Sequence, residues 1–195
     1  IPQTALMGMS KPMVFDGYDD KVDLGSDKPN DGTGAITISA WINPTTFGEG
    51  SRGYIITNGK MFLYVNDSDD KLTLSRDDAN EYHSADDSIS TGSWQHIAVA
   101  SASDGTNTNF YINGALSGNA NQTVGTPVVG NTNTFIGNNN GGNRTFRGNI
   151  DEVAIYNKAL SAGDISALYS AQGTADLNFD GNSANLQGWW RMGDG

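Results

Sequence analysis

The sequence predicts an all-β fold: a two-sheet antiparallel sandwich with one short helix near the C-terminus. Three observations predict it. Short runs of alternating apolar and polar side chains recur along the 195 residues, separated by turns rich in Gly, Asn and Asp. One stretch alone has helical spacing. No strand–helix–strand rhythm is present, so a parallel sheet is excluded. The length suits one large β domain, and neither an internal repeat nor a dividing linker interrupts it.

The first clear strand is residues 35–43 (AITISAWIN), where Ile36, Ile38, Ala40 and Ile42 alternate with Thr37, Ser39 and Trp41. Residues 61–66 (MFLYVN) and 71–76 (KLTLSR) flank Asp67, Ser68, Asp69 and Asp70 and read as a hairpin. That acidic turn lacks the glycine and terminal glutamate of a helical calcium loop, so it reads as a solvated turn. Residues 94–102 (WQHIAVASA) and 107–113 (NTNFYIN) flank Asp104-Gly105, a second hairpin signal. Trp41, Trp94 and His96 lie in these strands and are expected to pack in the core. Later strands are expected at 134–137 and 147–156, with the Gly-Asn tract 137–143 as exposed loop. Ser161–Gln172 is the helix, with Ser161 as N-cap, Asp164 three residues on, and Ile165, Leu168 and Tyr169 on one face.

Composition narrows the function. Asp and Glu number 22 against 11 Lys and Arg, for a formal charge of −11. The excess is aspartate, since Glu49, Glu81 and Glu152 are the only glutamates, and aspartate favours turns over helices. So acidic a chain is a poor partner for nucleic acid or anionic lipid. It suits a saline extracellular setting, where salt screens self-repulsion. Without cysteine there is neither a disulfide nor a thiolate metal site. No apolar run is long enough to span a bilayer as a helix. Ile1 in first place suggests a processed product or a piece of a longer chain. Asn66, Asn121 and Asn143 fit the N-glycosylation triplet, a pattern that arises easily in an Asn- and Thr-rich chain.

The order of motifs resembles a known family. Residues 13–17 (MVFDG) followed by Tyr18–Val22, then 36–44 (ITISAWINP), 94–99 (WQHIAV), 110–114 (FYING), 135–137 (FIG) and 146–161 (FRGNIDEVAIYNKALS) occur in the sequence order of laminin-G-like jelly rolls. On this resemblance the chain is identified as a member of the laminin-G-like branch of the concanavalin A-like lectin/glucanase superfamily. The family's segment similar to residues 186–195 (LQGWWRMGDG) ordinarily opens the domain, whereas here it ends the chain. Three fates fit it: the start of a next domain, completion of the chain's own sandwich, or donation to a neighbouring copy.

The resemblance implies a structural Ca²⁺ held by Asp16, Asp151 and a carbonyl near Gly17, a hard-oxygen set suited to that cation. Simple alternation places Asp151 on the inward face with Val153 and Ile155, and Glu152 on the opposite face. Capping of a turn is the alternative role for Asp151. Candidate ligand-reading residues are Tyr82, whose ring can stack on a sugar, with His83, and the loop residues Asn138, Asn139, Asn140, Asn143 and Arg144. The E-x-D-x-x-E strand of the family's glucanases is absent, as is a nucleophile elbow. The expectation is therefore a non-catalytic, calcium-stabilised recognition or adhesion module, extracellular or surface-displayed, binding a glycan or a surface protein. A structural or decoration module of a virion, fibre or surface layer, assembling with its own copies, is the alternative.

Overall fold

A computed structural model describes residues 11–25, 33–174, 176–178 and 181–191. The first sheet contains β1 (Met13–Asp16), β3 (Ile36–Thr46), β8 (Gln95–Ser101), β9 (Asn109–Ile112), β10 (Ala115–Leu116), β12 (Arg147–Tyr156) and β13 (Leu186–Trp190). Its order is β1-β12-β3-β8-β9-β10, with β13 also pairing with β12. The second sheet runs β2 (Val22–Asp23), β11 (Phe135–Ile136), β4 (Arg52–Thr57), β5 (Phe62–Asn66), β6 (Lys71–Ser75) and β7 (Tyr82–His83). All these strand pairings are antiparallel.

The main core lies between the sheets. Alternation in β3 sends Ile36, Ile38, Ala40 and Ile42 into it, where they meet Leu63 and Val65 of β5 and Leu72 and Leu74 of β6. The outer face of the first sheet carries a second, smaller core. Ala98, Ala100, Tyr111, Ala154 and Tyr156 are covered there by Leu160, Ile165 and Leu177. Ile165 belongs to α1 (Ala162–Ser170), which starts in a reciprocal capping box between Ser161 and Asp164. Its Tyr169 stacks on Trp41 at 5.8 Å between ring centroids. His96 is buried on the same face; its Nε2 lies 2.8 Å from Ser39 Oγ, and burial pushes its pKa down to about 3, so it is neutral. Trp94 is half-buried and precedes β8.

Two features of β12 depart from simple alternation. Glu152 adopts φ +51°, and the register with β3 shifts between Asp151 and Ala154. This bulge keeps Ile150 and Val153 both in the main core. Asp151 therefore lies opposite Trp41, on the helix-covered side. Glu152 lines a small cavity there with Ser39, Trp41 and His96. The expectation that Asp151 shares a face with Val153, and that Glu152 points away from it, is corrected. One extra residue resets the period.

Along its other edge β12 pairs with two strands end to end. Met13–Asp16 matches Ile150–Arg147, and Leu186–Trp190 matches Tyr156–Val153. Residues 192–195 of the closing segment lie outside the described residues.

Candidate functional site

Two loops meet at the end of the sandwich where β1 finishes and β12 begins. The first, residues 16–21, turns at Gly17, whose φ of +90° and close approach to the Arg147 side chain leave no room for a Cβ. The Asp16 side chain accepts a hydrogen bond from the Tyr18 N–H (2.8 Å), and the Asp20 carboxylate accepts one from the Asp16 N–H (2.8 Å). These turns gather carboxylate oxygens of Asp16, Asp19 and Asp20 within 4.8 Å of one another. Tyr18, in their midst, is 75% exposed.

The second loop, residues 137–146, packs beside the first. The Thr145 hydroxyl donates to the Tyr18 carbonyl (2.7 Å), and Lys21 Nζ reaches the Asn140 carbonyl (3.3 Å). Asn138 organises this loop from within. It is fully buried; its Nδ2 donates to Thr145 Oγ1 (2.7 Å), and its Oδ1 accepts the N–H groups of Asn139 (2.8 Å) and Arg144 (3.0 Å). Asn138 is thus a scaffold residue rather than a ligand reader, because its polar atoms are already spent. Asn138→Ala is expected to cost about 2–3 kcal/mol by leaving these buried partners unmatched. A urea denaturation midpoint measures it, and a loss under 0.5 kcal/mol would contradict the role.

Asn139 and Asn143 brace each other, Asn139 Nδ2 donating to Asn143 Oδ1 at 2.9 Å and Asn143 N to Asn139 Oδ1 at 3.1 Å. Asn140 and Asn143 are exposed, while Asn139 and Arg144 are half-buried. Arg144 turns the other way, to the Asn143 carbonyl (2.8 Å) and the Tyr54 hydroxyl.

The structure therefore brings Asp16, Gly17, Asn139, Asn140 and Asn143 together and leaves three sequence candidates apart. Asp151 sits four residues along β12 from Arg147, the partner of Asp16, or about 13 Å at the usual strand rise. It is also 97% buried beneath the helix side, being 3% exposed, so it does not share a cation with Asp16. Tyr82 is half-buried with its ring against the main core, not presented as a platform. His83 lies within 3.0 Å of Thr73 Oγ1 and lines a distant polar recess of about 370 Å³ with Lys71, Asp86 and Gln122. Burial, then the nearby Lys71 charge, lowers its pKa. The members of this cluster that the sequence reading did not single out are Tyr18, Asp19 and Asp20. Their signal was present as three aspartates within five positions around a glycine turn.

A family model for laminin-G-type domains, described as the concanavalin A-like lectin/glucanases superfamily, matches residues 16–166. A search of curated proteins finds no match. Among solved structures the chain is similar to a native heptameric SAP-like pentraxin from Limulus polyphemus, with 17% identity over 82% of each chain and a TM-score of 0.59. It is similar to a Bacteroides ovatus protein described as carbohydrate binding, with 20% identity, 95% of this chain and 54% of that one covered, and a TM-score of 0.65. A third likeness is the CBM40 of a Ruminococcus gnavus IT-sialidase bound to α2,3 sialyllactose. It is 14% identical, covers 82% of this chain and 96% of the other, and has a TM-score of 0.62. Identities this low establish a shared sandwich and nothing finer.

Proposed function

Because the chain belongs to the concanavalin A-like lectin/glucanases superfamily, we propose that it is a non-catalytic, calcium-stabilised module that binds glycans outside the cell. The observation that carries this reading is the exposed Tyr18 in a loop with three convergent carboxylates, joined through Thr145 and Lys21 to the loop that carries the exposed Asn140 and Asn143.

Each component has a physical task. Asp16, Asp19 and Asp20 offer an oxygen-only donor set with their ligand atoms within 4.8 Å of one another, and such a set fits Ca²⁺ better than a softer ion. Bound there, the ion would offset two of the three like charges and supply an electrophilic point for sugar hydroxyls. The Tyr18 ring supplies an apolar face for the C–H side of a sugar and a phenol for hydrogen bonding. Asn140 and Asn143 carry both donors and acceptors, which suits hydroxyl groups that are both. Asn138 and Thr145 hold the two loops in register.

Support for glycans rather than other ligands comes from the neighbours' described ligands, a carbohydrate and a sialyllactose. The test is a glycan array followed by calorimetry, with calcium and then with EGTA. Retention of at least one glycan class is expected in calcium and loss in EGTA. Tyr18→Ala is expected to weaken binding about tenfold, the equivalent of about 1.4 kcal/mol of lost stacking, without shifting the melting temperature. Absence of any retained glycan in calcium, together with a melting temperature indifferent to calcium, would sink both halves of the reading.

A further inference from the structure

We propose that Asn140-Gly141 is a self-modifying site, at which the Gly141 amide nitrogen closes on the Asn140 side chain and expels ammonia. The chemistry stands apart from the glycan reading, and only its effect on a ligand rests on that reading.

An asparagine followed by glycine closes this ring with least hindrance, because glycine has no side chain to block the approach. The chain holds three such pairs, Asn58-Gly59, Asn113-Gly114 and Asn140-Gly141. The fold treats them differently. Asn58 is fully buried; its Oδ1 accepts the N–H groups of Lys60 (3.2 Å) and Met61 (2.8 Å), and the Gly59 N–H donates to Thr57 Oγ1 (3.0 Å). Asn113 is tethered to β8, its Oδ1 accepting the His96 N–H at 3.0 Å, and the Tyr169 side chain lies against Gly114. Asn140 and Gly141 are both exposed, at the corner of a turn that the Gly142 N–H closes on the Asn139 carbonyl (3.2 Å). Among the described residues, neither the Asn140 side chain nor the Gly141 N–H has a hydrogen-bond partner. Ring closure there breaks no existing bond and leaves the developing charge in water.

Lys21 supplies a second condition. Its Nζ lies 3.3 Å from the Asn140 carbonyl, the oxygen of the same peptide unit that holds the Gly141 N–H. The ammonium is steadied over the Phe135 ring, 5.1 Å from its centroid. A cation at that oxygen favours the deprotonated peptide and so makes the Gly141 nitrogen a better nucleophile. The bond between Gly141 N and Asn140 Cγ forms, the Cγ–Nδ2 bond breaks, and the Gly141 proton leaves with the amide as ammonia. Water then opens the succinimide at either carbonyl. Opening at Cγ gives aspartate; opening at the main-chain carbonyl gives isoaspartate, with the backbone running through Cβ and Cγ. Either product puts a carboxylate near Lys21 where a neutral amide stood. Isoaspartate also lengthens the main chain by one carbon and breaks the turn. On the glycan reading, the loop loses an amide that serves sugar hydroxyls.

The experiment ages the whole chain at mildly alkaline pH, folded and in urea, and follows each asparagine by peptide mass mapping under acidic digestion. Isoaspartate is counted by enzymatic methylation of its free carboxylate. In the folded protein Asn140 is expected to convert while Asn58 and Asn113 remain amides; in urea the three rates draw together. Gly141→Ala fits the turn, since a Cβ there meets no atom nearer than 3.6 Å, and is expected to suppress most of the conversion. Lys21→Gln is expected to slow Asn140 about twofold in the folded protein and not in urea, the effect of one exposed charge. Lys21→Arg should restore the rate. Conversion of folded Asn140 no faster than that of Asn58 or Asn113 would overturn the site. An unchanged folded rate in Lys21→Gln would overturn the assistance from Lys21. No glycan enters the measurement, so it can fail while the glycan reading stands, and the reverse.

Discussion

Replacing Arg76 with alanine is expected to lower the unfolding free energy by about 3–5 kcal/mol, because a fully buried side chain with several hydrogen bonds is lost and its acceptors stay behind unmatched. Arg76 follows β6 in the second sheet and is fully buried. Its guanidinium crosses to the first sheet, where Nη1 donates to Ser101 Oγ at 2.9 Å and to the Ala102 carbonyl at 2.8 Å, and Nη2 to the Gly34 carbonyl at 2.5 Å. Ser101 ends β8, and Gly34 lies two residues before β3. One side chain thus ties the two sheets at the end where β3 enters. Alanine would remove the charge but leave buried acceptors behind, so the loss exceeds that of a surface cation. Arg76→Lys retains the charge on a single point without the planar fork and is expected to fall between alanine and the native protein. Urea unfolding gives the ranking. A loss below 1 kcal/mol for the alanine variant would mean that solvent replaces these bonds at little cost.

The legible parts of this fold are those where one local rule acts without interruption. β3 alternates along its apolar positions, the Asp67–Asp70 and Asp104-Gly105 turns fix two hairpins, and Ser161 with Asp164 marks the start of α1. β12 was readable in extent, residues 147–156, but not in the facing of its middle. The left-handed Glu152 inserts a step that composition does not announce. The same cause hides β4 altogether. Its register with β5 shifts between Tyr54 and Ile56, so Ile55 and Ile56 are both fully buried and no two-residue period survives in RGYIIT.

The candidate site was legible in its loops and not in its grouping. The 16–21 turn and the 137–146 loop both stand out as polar loops. Their union depends on Thr145 reaching the Tyr18 carbonyl, a contact across 127 positions. Asn138, buried and bonded within its own loop, looks in sequence like its exposed neighbours.

Removing the indole of Trp189 is expected to cost about 3 kcal/mol and to loosen the last strand first. Trp189 packs on the smaller core with Tyr156 and Ile165, and its Nε1 donates to Glu152 Oε2 at 2.6 Å. Arg191 stacks on the same indole at 5.0 Å and donates to Glu152 Oε1 at 3.4 Å. Glu152 is 7% exposed, so without Trp189 a buried carboxyl loses its best donor. Hydrogen exchange should show amides of Leu186–Trp190 losing protection in Trp189→Ala before those of β3 or β8. Uniform loss across the first sheet would refute a locally held strand.

The same carboxyl makes a pH prediction of definite sign. Burial raises the Glu152 pKa, the Asp151 charge adds to the rise, and Trp189 and Arg191 offset part of it. The neutral His96 in the same cavity contributes no charge. A carboxyl raised in the folded state holds its proton more tightly there than in the unfolded chain. Its contribution to stability is complete below the ordinary carboxylate range and is lost as pH rises through the raised value. Glu152→Gln carries no such titration, and its amide oxygen can still accept from Trp189. The free-energy difference between the two proteins should therefore shift towards the glutamine variant as pH climbs above the ordinary carboxylate range, then level off. Subtracting one pH series from the other cancels the carboxylates that do not interact with Glu152, whose titration both proteins share. A difference flat across that window would show that Glu152 is as well solvated in the fold as in the unfolded chain.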